Sequence, residues 1–328
     1  MSADITGAPS PSAGASQEVK PGAPASIAVL GGGPWGLALA FAAQRTGARV
    51  VVHTRRDVGR TPHELATTES FAEVARAKLV VLAVPSDVAR AVLRGLGDHL
   101  DGSHLVVHGI RGLGAERLET VSDIVREETP VRRIGALGGP VQAHELTRGR
   151  PSAMVVGSRY PEVVAATTAA FQSPSLRVYA TPDLHGLEWA SALVGCLSIG
   201  VGFAEEAGAG PGLLAALISR GVDEAARIVS AAGADEKTMF GLGGYGDLLA
   251  SIALDDRPEV VLGKALARGL PLADALAEAK LRVEAIPLIP RIAAFARERK
   301  VPAPGFDALT AILNGEKAAV ALERLFQG

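Results

Sequence analysis

Hydrophobic positions along this chain fall into two regimes. In the first, short apolar runs recur with polar or helix-patterned stretches between several of them: Ile27–Leu30, Val50–Val52, Leu79–Val84, His104–His108, Ile134–Leu137 and Met154–Val156. Runs this short, bounded by turn residues, read as buried strands. Strands alternating with helices predict βαβ units and a doubly wound, parallel α/β sheet. A third strand is expected to start near Leu65, which leaves little room after Val50–Val52 and predicts an abbreviated crossover. From about Pro182 the second regime begins. Long Ala- and Leu-rich stretches take helical spacing, and strand signals nearly vanish. The segment Gly241–Asp247 is glycine-rich, and Pro287, Pro290, Pro302 and Pro304 punctuate the later helices. The predicted organisation is an α/β domain over residues 26–181 and an all-α domain over 182–328, with no internal repeat.

Residues 1–25 fit neither regime. Their Ser, Ala, Gly and Pro content buries too little surface to offset ordering entropy, so a disordered tail is expected. The tail has no basic or apolar region of the kind a secretory signal needs.

Composition narrows the function classes. Net charge is −2 with both signs interspersed, which argues against a broad nucleic-acid or membrane-surface footprint. The lone cysteine, Cys196, excludes an intrachain disulfide and suits the reducing cytoplasm. No apolar run is expected to reach the roughly 18–20 residues that cross a bilayer.

Candidate chemistry starts at Gly31-Gly32-Gly33-Pro34-Trp35-Gly36, directly after a strand and opening a helix. In a GxGxxG turn the first glycine permits the tight turn. The second lets backbone approach a pyrophosphate, and the third lets helix and strand pack closely, with phosphates at the helix N-terminus. A Rossmann-type dinucleotide site follows. At the end of the second strand, where an acid would bind the ribose hydroxyls of NAD, stand Arg55 and Arg56, with Asp57 beyond. Arginine there suits a 2′-phosphate, so NAD or NADP is the expected cofactor, with NADP slightly favoured. The seven histidines show no metal-ligand spacing, there is no P-loop, and Cys196 among Leu193, Val194 and Leu197 reads as a structural thiol.

At VLGGGPWGLALA, LVVLAVPS, GGPVQAHEL, LISRG and GYGDLL the sequence resembles the bacterial NAD(P)-dependent glycerol-3-phosphate dehydrogenases, block by block after residue 26. That resemblance implies a Rossmann domain, a helical C-terminal domain, usually a homodimer, and hydride exchange between C2 of glycerol 3-phosphate and the nicotinamide. It assigns cofactor roles to Gly31, Gly33, Pro34, Trp35, Gly36, Arg55, Arg111, Ala143 and Glu284. Pro34 stands where serine is usual. Glu284 matches the glutamate of the family's valine-glutamate-glycine motif.

The substrate positions carry over less well. Gly139, Pro140 and Asp247 are kept, while Arg111 replaces a lysine and Val141 a threonine. An ungapped count from Asp247 puts Arg257-Pro258-Glu259 where relatives carry serine-arginine-asparagine over the phosphate. Arg257 is expected to reach a phosphate and Glu259 to repel one. An asparagine expected before LISRG is Gly212.

The largest departure lies in WASALVGCLSIG. Ala192-Leu193-Val194-Gly195 stands where the family reads alanine-leucine-lysine-asparagine. That lysine takes the C2 hydroxyl proton, and Val194 has no lone pair for it. Impaired glycerol-3-phosphate dehydrogenase activity is expected. Two other readings stay open: an oxidoreductase for a different substrate with a rebuilt base (Lys237, His108 and His144 are the candidates by sequence), or a nucleotide-binding sensor without catalysis.

Overall fold

The computed structural model describes residues 26–56, 65–114, 117–280, 282–317, 320, 321 and 323. The expected tail, Asp57 and most of the crossover after the second strand lie outside the described residues.

The strands are β1 (Ser26–Leu30), β2 (Arg49–His53), β3 (Ala66–Thr68), β4 (Leu79–Leu82), β5 (Leu105–His108), β6 (Ile134–Gly138), β7 (Ser152–Gly157) and β8 (Leu176–Thr181). They form one sheet in the order β3-β2-β1-β4-β5-β6-β7-β8. β4, β5 and β6 are buried along their whole length, so helices cover both faces, and this is why their apolar runs do not alternate. The sheet is not wholly parallel: β7 runs antiparallel to β6, and β8 pairs parallel with β7. β8 lies past the last strand that the hydrophobic pattern marks. It is an edge strand with several exposed residues, so its side chains carry little apolar signal.

Around the sheet lie α1 (Pro34–Gln44), α2 (Phe71–Val74), α3 (Ser86–Gly97), α4 (Val121–Glu128), α5 (Ala143–Arg148) and α6 (Pro161–Phe171). The second half contains α7 (Leu184–Glu206), α8 (Pro211–Ala231), α9 (Lys237–Phe240), α10 (Asp247–Ile252), α11 (Pro258–Ala267), α12 (Leu272–Ala279), α13 (Ala285–Glu298) and α14 (Pro304–Leu313). Two apolar clusters cover the two faces of the sheet, and a third fills the helical part.

α7 is the most apolar long helix among the described residues. Its 23 residues are long and apolar enough, by length and composition, to cross a membrane. In the fold 83% of its most apolar stretch is buried inside the protein. It is the central helix of the second half: Leu184 and Leu187 pack under the sheet, and Leu193 to Phe203 sit in the helical core. α11 crosses α7 at very close range through glycines. A side chain on Gly202 would strike Val260 backbone, and one on Gly263 would strike the backbone of Ile199 and Phe203. The glycine-rich segment before Asp247 winds into a π-helical turn, Leu242–Gly246, that runs into α10.

Candidate active site

Strand order reverses between β1 and β4, and in doubly wound sheets ligands bind in the crevice outside the carboxyl ends of the strands at such a point. β1 delivers Gly31 there with φ +124°, a conformation L side chains rarely adopt. A Cβ on Gly31 would lie 2.2 Å from Ala83 O, and one on Gly36 would lie 1.9 Å from Gly31 O. These two glycines are therefore required by the protein's own backbone. Gly33 differs: a Cβ there meets no protein atom within 4 Å. α1 begins at the next residue with Pro34 in its first turn, no side-chain cap and no acidic residue. Open space in front of an uncapped helix N-terminus fits a pyrophosphate.

The rest of the cradle closes around this turn. Trp35 donates its indole N–H to Gly109 O at 2.8 Å, which ties the glycine turn to the end of β5. Glu284 accepts from the Ser86 hydroxyl and, at 3.4 Å, from the Ser86 N–H; Arg282 pairs with it at 3.1 Å. Gly112 faces both Ser86 and Glu284. Ala143 packs beside the same apolar cluster as Trp35, and Arg55 is exposed at the end of β2. Arg111 stands two residues past Gly109 and turns toward the helical half.

On α7, Leu187, Ser191 and Val194 share a face by helical spacing. Leu187 and Ser191 of that face meet Gly138 at the end of β6. Val194 is fully buried. The neighbouring face, with Gly195 and Gly202, turns to α11.

Two ion pairs lie beside this helix. Arg111 donates two hydrogen bonds to Asp247, at 2.6 and 2.8 Å, and Ser251 donates a third, longer one at 3.4 Å. Arg257 donates from Nε to Glu259 at 2.9 Å and from a terminal nitrogen to Gln142 Oε1 at 2.6 Å. Burial opposes the Arg111 charge, but Asp247 outweighs it and raises the guanidinium's pKa. Arg257 is pushed the other way, by burial first and then by the like charge of Arg111. Two cations and two carboxylates thus cancel formally. Gly139 holds φ +91° at the end of β6, and Val141 donates its N–H back to Gly139 O, so these residues shape the turn that carries Gln142.

The three candidate replacement bases take no part in these two ion pairs. His108 is buried, with Nε2 on Glu188 at 2.9 Å and Nδ1 facing the Ile110 N–H at 3.4 Å. Ser122 fills the rest of Glu188. His144 and Lys237 are exposed on α5 and α9. Cys196 is buried and its thiol faces Ala192 O at 3.4 Å; burial and then Glu259 push its pKa up. By sequence, Arg257 and Glu259 are separate phosphate contacts, one attractive and one repulsive. The fold corrects this by pairing them. Gln142, which joins this network, is not among the residues that the sequence marks.

Known proteins share the sequence and fold of this chain. Residues 58–164 match the family model described as NAD-dependent glycerol-3-phosphate dehydrogenase N-terminus, and 183–323 match the C-terminus model of that name. The glycerol-3-phosphate dehydrogenase [NAD(P)+] of Gluconobacter oxydans is 34% identical over 300 residues, covering 88% of this chain and 92% of that protein. That of Fusobacterium nucleatum is 29% identical, covering 91% and 96%. The crystal structure of glycerol-3-phosphate dehydrogenase from Coxiella burnetii superposes with a TM-score of 0.86 at 23% identity, covering 93% and 99%, a likeness of fold.

Proposed function

The chain belongs to the NAD-dependent glycerol-3-phosphate dehydrogenase family, NAD(P)-dependent oxidoreductases acting on a CH–OH group, and from that premise we propose how this member departs from its relatives. Gly31, Gly33, Pro34 and Gly36 would seat the pyrophosphate, with Trp35, Ala143 and Glu284 around the rest of the cofactor. When bound, NAD(P) supplies the acceptor or donor for the hydride at C2. The substrate enters between the end of β6, α7, α10 and the start of α11, beside Arg111, Gly139, Val141, Asp247 and Arg257.

Turnover of glycerol 3-phosphate is strongly reduced relative to a lysine-bearing relative. The observations that carry this reading are the buried, apolar Val194 and the two self-paired ion pairs. A general base is worth about 10²–10⁴ in rate. A dianionic phosphate also meets guanidinium groups already engaged by Asp247 and Glu259. Assay of the purified protein with dihydroxyacetone phosphate and NADPH, beside a lysine-bearing relative, tests it; ordinary rates would overturn it.

Arg55 should make NADPH bind at least as well as NADH. Calorimetry on Arg55→Ala should find a larger loss for NADPH; equal losses would mean that Arg55 does not read the 2′-phosphate. We also read the enzyme as a cytoplasmic homodimer joined through its helical half, which a monomeric mass at micromolar concentration would contradict.

A further inference from the structure

Glu259 has one carboxylate oxygen committed and one open. Oε2 accepts from Arg257 at 2.9 Å, and no donor among the described residues reaches Oε1. Oε1 lies over the α7 turn that follows Val194: a Cβ built on Gly195 would be 3.9 Å from it and 3.6 Å from Ala285 Cβ. Ala285 directly follows Glu284, which holds Ser86 at the cofactor cradle. The open oxygen therefore sits over Gly195, the α7 residue that follows Val194, on the side where the residue after Glu284 also packs.

The other carboxylates near the site are spoken for. Asp247 accepts from both Arg111 nitrogens and from Ser251. Glu284 accepts from Ser86 and Arg282, and Glu188 from His108 and Ser122. The pair of sequence changes that frames Glu259 is also complementary in volume. Gly195 removes a side chain from α7 where the longer, anionic Glu259 enters from α11. The same network keeps a buried donor unmet: Gln142 Nε2 has no protein partner among the described residues, while its Oε1 holds Arg257.

We propose that Glu259 Oε1 takes the C2 hydroxyl proton in place of the absent lysine, with Arg257 and Gln142 as positioning residues. This rests on the dehydrogenase reading above. In the oxidation the O–H bond breaks and its proton bonds to Oε1. The O–H electron pair becomes the second C–O bond, and the C2–H pair leaves as the hydride that NAD(P)+ accepts. In the reverse direction the protonated carboxyl returns the proton to the carbonyl oxygen.

The test separates chemistry from holding. Turnover is measured with glycerol 3-phosphate and NADP+. Binding of glycerol 3-phosphate is measured by calorimetry on the NADPH-loaded protein, where no reaction runs. Glu259→Gln should lower kcat about a hundredfold or more while keeping or tightening that binding, because it loosens the hold on Arg257. Acetate added to Glu259→Ala should restore rate in proportion to its concentration, which a structural role would not produce. If loss of the Arg257 pair unfolds these variants, Glu259→Asp keeps the charge, withdraws the carboxylate by one methylene, and should keep the melting temperature while losing rate. Unchanged kcat in Glu259→Gln overturns the proposal. So does equal loss of binding and rate, or an unmodified protein that binds both ligands yet turns over no faster than Glu259→Gln. Failure of the folded protein to bind NADH or NADPH would instead defeat the dehydrogenase reading itself.

Discussion

Arg111 and Asp247 meet as a two-pronged ion pair at 2.6 and 2.8 Å, with the carboxylate fully buried. The pair joins the loop after β5 to the first turn of α10, and so holds the two halves of the chain together beside the site. Removing one partner of a buried pair leaves an uncompensated charge, at a typical cost of about 3–5 kcal/mol. Arg111 keeps 24% of its side chain accessible, so water shares that cost. Asp247→Asn should therefore lose roughly 3 kcal/mol, the low end of that range. Urea unfolding checks it; an unchanged midpoint would mean the pair adds nothing.

Two glycine substitutions should part company. Gly36→Ala puts a methyl group into Gly31 backbone and should lower the melting temperature by several degrees or prevent folding. Gly33→Ala meets no protein atom, so melting should stay the same while NADPH affinity falls. Parallel calorimetry and melting curves would decide. Undiminished affinity in Gly33→Ala would place the pyrophosphate elsewhere.

A lysine placed at position 194 alone should disappoint. Val194 is fully buried, and an ammonium there without a partner is costly, so Val194→Lys should melt lower and gain little rate. A base helps only when the substrate is held within hydrogen-bond reach of it. With a lysine at 194 to take the proton, Glu259 is no longer needed as the base, and adding Val141→Thr, Pro258→Arg and Glu259→Asn should raise turnover more than additively, because such groups act as a unit. A large gain from Val194→Lys by itself would show that the substrate contacts are already sufficient.

Glu224 supplies a pH test remote from the chemistry. It accepts from the Gly305 and Phe306 N–H groups at the start of α14, at 3.0 and 2.9 Å. Burial outweighs these donors and raises its carboxyl pKa. A carboxyl raised on folding adds stability below its unfolded value, about 4.3 for glutamate, and loses it as pH climbs through the folded value. Glu224→Gln, which does not titrate but gives up one of the two acceptors, should thus compare more favourably with the unmodified protein at pH 7 than near pH 4. Melting curves at both pH values measure it; a difference that is the same at both would refute the assignment.

Some of this protein was legible in its sequence because the causes are local. The glycine turn between β1 and α1 depends on backbone contacts within one strand–turn–helix unit, so Gly31, Gly33 and Gly36 announce it. The proposal that Val194 stands in the lysine position rests on the order of residues along one helix. The antiparallel β7 was not legible, because strand direction depends on where the chain returns to the sheet. Nor was the fate of α7: its composition suits lipid as well as a protein interior, and only the packing of other helices around it chooses.

The charged cluster is the clearest case of what tertiary structure alone decided. Arg111 and Asp247 are 136 residues apart, and Arg257 and Gln142 are 115 apart, so no periodicity relates them. Glu259 reads in sequence as a repulsive charge over a phosphate. Close crossing of α7 and α11 through Gly202 and Gly263 instead sets its carboxylate over Gly195, with one oxygen on Arg257 and the other open. Local residue choice sets turns and helix faces over a few positions. Which charges meet depends on how those faces pack, and packing is a property of the whole chain.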